Sequence, residues 1–111
     1  MATVTSEQIG KIAKAIVVAA NPLLVILFGS QSRGTADNGS DIDLLIVGER
    51  PANGSWSRRR EVGNIRRSLP SLNIPIDILF YTPDEVRRWK DTTNHVVHEA
   101  FTEGDVIYER P

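Results

Sequence analysis

Three carboxylates and one turn of small residues are the groups in this chain whose types and spacing could do chemistry. Asp41 and Asp43 stand one residue apart at the head of the hydrophobic run Leu44-Leu45-Ile46-Val47. Asp77 interrupts a later run, Ile74-Pro75-Ile76-Asp77-Ile78-Leu79-Phe80-Tyr81. Residues two apart in a strand share a face, so Asp41 and Asp43 project together from the start of a strand, at the rim of its sheet. Like charges held this close are unfavourable unless a cation or proton intervenes. Carboxylate oxygens are hard ligands that suit Mg²⁺ or Mn²⁺, whose shells are completed by water and phosphate. Asp77 lies mid-strand among apolar residues, where an unpaired carboxylate is costly. If its strand neighbours the second one, it joins the pair. Three acids around two metal ions would stabilise the attacking and leaving oxygens of an in-line displacement at phosphorus.

A place for the phosphate precedes them. The apolar run over residues 23–28 ends at Gly29-Ser30, and ten residues separate Ser30 from Asp41. Glycine lets the backbone approach a phosphate closely, and free amides with a serine hydroxyl can hold its oxygens. The segment is neither a P-loop, whose spacing and lysine are absent, nor the G-x-G-x-x-G dinucleotide fingerprint. Each piece has a plainer reading: a simple turn at Gly29-Ser30, a cap at Asp41 and Asp43, a salt bridge from Asp77 to an arginine. Their occurrence together, in order and on strand edges, favours phosphate and metal.

The elements that must position these groups follow from pattern. Thr5-Ser6-Glu7-Gln8 reads as a capping box, and apolar residues from Ile9 to Ala20 recur at helical spacing, which predicts a helix over 6–20. Asn21-Pro22 stops it. Residues 23–28, six apolar residues in a row, predict a strand buried on both faces. Residues 41–47 predict a second strand and 74–81 a third. Between them, Trp56, Val62, Ile65 and Leu69 mark a sparse helical pattern over 56–69. Thr82-Pro83-Asp84-Glu85 starts a helix over 83–90, residues 94–103 form another with Gly104 as its cap, and Val106-Ile107-Tyr108 closes the chain as a short strand.

Composition bounds the rest. The 111 residues suffice for one domain, 1–111, with its own core. An apolar fraction of 41% and a charged fraction of 24% are ordinary for a soluble globule, and no run is long enough to cross a bilayer. The absence of cysteine excludes disulfides and thiolate metal sites and suits the cytoplasm. The net charge of −1 conceals two basic clusters, Arg58, Arg59, Arg60, Arg66 and Arg67, then Arg87, Arg88 and Lys90. They read as solvated helix faces or as surfaces for phosphate or an acidic partner. Nucleic-acid binding is not expected, because the whole chain is not basic and no nucleic-acid motif accompanies the arginines. His95 and His98 lack a third ligand nearby, and Trp56 and Trp89 read as packing anchors.

With Gly29-Ser30 followed after ten residues by Asp41-Ile42-Asp43, the chain resembles the nucleotidyltransferases related to DNA polymerase beta. It is most similar to their short form, the minimal nucleotidyltransferase of prokaryotes. Ile76-Asp77-Ile78 matches the place of that family's third carboxylate, and the tail from His98 to Glu109 also looks like the short form. The resemblance implies an α/β (α+β) fold: a small mixed sheet with helices packed mainly on one face. It implies Mg²⁺-dependent transfer of a nucleoside monophosphate from a triphosphate, usually ATP, with pyrophosphate released. Carried over by position, Gly29 and Ser30 would hold the triphosphate, while Asp41, Asp43 and Asp77 would bind metal. Asp77 would also help activate the accepting hydroxyl, and Arg33 would touch phosphate or support the turn. No second domain is seen to select an acceptor. Minimal forms typically pair with a small helical partner of the HEPN class as its antitoxin, so the expected acceptor is that partner. Two alternatives remain: an antitoxin that acts by binding alone, and a transferase modifying an antibiotic hydroxyl through a homodimer cleft.

Overall fold

The computed structural model describes residues 5–29, 42–51, 54–71 and 75–111. Helix α1 runs Ser6–Ala20. Its capping box is formed: the Thr5 hydroxyl accepts from the Gln8 amide at 3.1 Å, and the Gln8 side chain accepts from the Thr5 amide at 2.9 Å. Asn21, left-handed at φ 45°, ends the helix ahead of Pro22.

Four strands form one sheet: β1 (Leu24–Phe28), β2 (Ile42–Val47), β3 (Ile76–Tyr81) and β4 (Asp105–Glu109), in the order β3-β2-β1-β4. β1 is antiparallel to β2 and to β4, whereas β2 and β3 are parallel. A parallel pair needs a crossover. Helix α2 (Arg58–Ser68) supplies it. This helix begins two residues later than its apolar pattern suggests, because Ser57 is the cap and accepts from the Arg60 amide at 3.2 Å. Trp56 is thereby left outside the helix.

The short helices α3 (Pro83–Trp89) and α4 (Val96–Glu103) follow β3. α4 starts later than residue 94 because Asn94 is left-handed at φ 73° and His95 takes the cap, its Nδ1 accepting from the Val97 amide at 3.1 Å. Gly104 caps α4 with an extended rather than left-handed backbone, φ −87°. A β-carbon there would collide with Ile26 and the Ala100 carbonyl, so close packing demands glycine at this position.

Alternation along the strands divides the core in two. Val25, Leu27, Ile42, Leu44, Ile46, Ile78 and Phe80 face α1 and α2, meeting Ile12, Ile16 and Ile65. Ile26, Phe28, Leu45 and Val47 face the short helices, meeting Val86, Val97 and Ala100. The mixed sheet is therefore covered chiefly by two long helices on one face, with a lighter layer on the other. Among the described residues no helix is long and apolar enough to cross a membrane.

Candidate active site

The strand directions bring three ends together. Because β1 opposes β2 and β3 parallels it, the end of β1 and the starts of β2 and β3 share one edge of the sheet. Gly29 follows β1 at that edge. Phe28 is paired with Asp43, and Asp43 stands in register with Asp77 on the neighbouring strand. Adjacent strands lie about 4.8 Å apart, and residues in register share a face. Asp43 and Asp77 both project on the α3–α4 side, by the same alternation that sends Leu45 and Val47 there.

Gly29 is tied to this pair. Its φ of +86° is a conformation that side chains resist, and a β-carbon would collide with Oδ2 of Asp43 and lie 3.2 Å from its Cγ. The bare glycine is what allows the turn backbone to lie directly against the carboxylate. The remaining residues picked out by sequence, Ser30, Arg33 and Asp41, fall outside the described residues.

The setting of Asp77 differs from expectation. It is exposed, as the second residue of β3 on an edge strand, rather than buried mid-strand. The cost of desolvation that its apolar neighbours suggest does not arise, because their side chains alternate away and the strand has only just begun. Its carboxylate makes no hydrogen bond or ion pair among the described residues, so the salt bridge to an arginine is not found there. A half-buried Asp43 and an exposed Asp77 thus stand in register, two carboxylates one inter-strand step apart. That donor set fits a hard divalent cation still carrying water. No three His, Cys, Asp or Glu side chains converge among the described residues.

The opposite end of the sheet is built differently. Arg58 donates from Nε to the Phe80 carbonyl at 3.0 Å, pairs with Glu85, and lies 5.8 Å from the ring centres of both Trp56 and Tyr81. Partial burial pushes the Glu85 carboxyl up. The Thr82 backbone N–H, the Arg58 guanidinium and the Thr82 hydroxyl outweigh it and hold the group below its ordinary value. A cleft of about 700 Å³ opens here, lined by residues that include Arg50, Trp56 and Thr82. It is remote from Asp43 and Asp77, since it collects around the far ends of β2 and β3. The two histidines are structural. His95 caps α4 and stacks on Trp89, ring centres 4.5 Å apart, and His98 Nδ1 sits 2.8 Å from the Lys90 carbonyl. Trp56 and Trp89 pack against the two core halves, as anchors should.

One residue near the site carried no signal beyond its place in a basic cluster. Arg66 donates to the carbonyl of Ile76 at 2.9 Å, immediately before Asp77. Only the folded β3 edge reveals that neighbourhood.

The nucleotidyltransferase domain family matches residues 8–101, and the chain belongs to that family. A crystal structure of a candidate nucleotidyltransferase from Sulfolobus solfataricus is similar, with a TM-score of 0.61 and 18% identity over 94% of this chain and 79% of that one. A toxin-antitoxin structure crystallised with AMP-PNP matches with a TM-score of 0.59 and 21% identity over 92% of this chain and 73% of its own. At these identities the two structures share the fold. No curated protein matches the sequence.

Proposed function

We propose that this chain is a single domain that transfers a nucleoside monophosphate, AMP from ATP, to a hydroxyl on a partner protein, and that it thereby acts as an antitoxin. The observation carrying this reading is the parallel register that sets Asp43 beside Asp77, with Gly29 packed on Asp43. Asp41, Asp43 and Asp77 would hold Mg²⁺ or Mn²⁺, which when bound neutralises charge on the triphosphate. Gly29 and Ser30 hold the phosphates, and Arg33 contacts them or supports the turn. The acceptor oxygen attacks the α-phosphorus as the bond to the bridging oxygen breaks. Pyrophosphate leaves, and the hydroxyl proton passes to Asp77, whose exposed position on the edge strand leaves room for an acceptor.

The solved toxin-antitoxin relative with AMP-PNP supports a nucleotide and a protein partner for this chain. The partner proposed is a small helical protein of the HEPN class in the same cytoplasm. Incubation of the purified chain with α-labelled ATP, Mg²⁺ and the product of the neighbouring gene should label that product. Asp43→Asn should reduce labelling at least ~100-fold, the order seen when a charge-stabilising group is lost from an active site. Absence of label, or equal label with the variant, would overturn the transferase reading. Protection of cells by folded Asp43→Asn would instead identify neutralisation by binding.

A further inference from the structure

Two arginines of α2, Arg58 and Arg66, are tied into the fold, whereas Arg59, Arg60 and Arg67 extend an exposed basic face beside them. At 3.6 residues per turn, Arg59, Arg60, Arg66 and Arg67 fall within an arc of roughly 120°, with Ile65 on the opposite side and Glu61 outside the arc. All four are exposed, while Ile65 is fully buried. Arg59, Arg60 and Arg67 have no carboxylate partner among the described residues, whereas Arg58 is taken by Glu85. Three arginines, Arg58 to Arg60, also occupy the first turn, where the helix dipole favours acids. Such local disfavour points to function rather than stability. Gly63 lies inside the arc, and Arg67 Nη1 is 3.4 Å from where its β-carbon would be. The missing side chain leaves a shallow depression of about 430 Å³ floored by Gly63 and ringed by Arg59, Arg60 and Arg67. At the far end of the arc, Arg66 is fixed to the carbonyl before Asp77.

We infer that this face of α2 is a docking track for an acidic segment of a partner protein, leading to the sheet edge where Asp77 stands. The inference rests on the transferase reading only for what the partner does on arrival. Charge complementarity selects an acid-rich surface, since five arginines face one glutamate on α2 while the whole chain carries −1. A nucleic acid fits less well, because Trp56, the ring that borders Arg60 and Arg67, is half-buried against the core rather than held out for bases to stack on.

The probe is a fluorescein-labelled peptide of ten glutamates, titrated with the full chain at low salt and followed by anisotropy without nucleotide. Arg59→Glu/Arg60→Glu/Arg67→Glu should weaken binding at least ~10-fold, as loss of several rim charges does. Arg87→Glu/Arg88→Glu, an equally exposed cluster elsewhere, should change it less than ~3-fold. Equal losses in the two variants, or none in the first, would overturn the track. Tighter binding of a ten-nucleotide RNA than of the peptide would overturn the choice of an acidic protein. Circular dichroism verifies that the triple variant folds. Were it unfolded, Arg59→Gln and Arg67→Gln singly should each weaken peptide binding, and unchanged affinity in both would overturn the track. Since no nucleotide is present, failure here leaves the transferase reading standing, and absence of label transfer leaves peptide binding standing.

Discussion

At the scale of single residues, the contact between Gly29 and Asp43 is the tightest constraint on the candidate site. A methyl group at position 29 must either displace the Asp43 carboxylate or shift the turn, and φ +86° adds strain of about 1–2 kcal/mol. Gly29→Ala is therefore expected to lower the unfolding free energy by about that amount in urea titrations. Nucleotidyl transfer should fall much further than this modest loss of stability, because either adjustment changes how the turn lies against the Asp43 carboxylate. Wild-type turnover in the alanine variant would mean that Asp43 can move without consequence. Asp77 has the opposite character. It is exposed and has no partner among the described residues, so its carboxylate contributes little to folding and is available to a ligand.

At the scale of elements, α3 is held by a reciprocal cap that also reaches another helix. Thr82 and Glu85 satisfy each other's amides, and Glu85 additionally binds Arg58 at the start of α2. The folded-state pKa of Glu85 is depressed below its ordinary value of 4.5. The sign follows from linkage: its stabilising contribution is fully present above pH 4.5 and is lost as pH falls through the lower folded value. Glu85→Gln should accordingly destabilise the protein at neutral pH and flatten the acid limb of stability measured below pH 4.5. An acid limb identical to that of wild type would show that Glu85 does not carry it. Arg58 bridges α2 and α3 across the end of β3 through Phe80 and Glu85.

At the scale of the whole molecule, the sheet is an interior wall with a packed layer on each side. Leu45 is fully buried against the short-helix layer, two residues after Asp43 on the same face. Leu45→Ala removes packing that the surrounding side chains can recover only in part, and should lower the unfolding free energy by about 2–5 kcal/mol. Val18→Ser, at a side chain 82% exposed, should leave the urea midpoint close to wild type. Equal midpoints for these two variants would contradict the core described above. Among the described residues the lighter layer of α3 and α4 leaves Asp77 exposed at the site edge of this face, with Asp43 half-buried beside it.

Much of this was legible in the sequence, because its signals are local. Thr5 with Gln8 and Thr82 with Glu85 cap helices within four residues, and the apolar run of β1 declares a strand buried on both faces. The spacing from Gly29-Ser30 to Asp41 and Asp43 is what raises phosphate and metal as a proposal, and the family match bears on the class of the domain rather than on those residues. What no spacing could reveal was decided by strand pairing and packing. The parallel register of β2 and β3 aligns Asp43 with Asp77 across more than thirty residues of chain, and the edge position of β3 turns a residue among apolar neighbours into an exposed carboxylate. Likewise, Gly104 is glycine for the sake of Ile26, distant in sequence, and Arg66 reaches the rim only through the folded crossover. Local sequence sets the identity and propensity of each group, but which groups meet depends on contacts between strands, and those exist only once the sheet has formed.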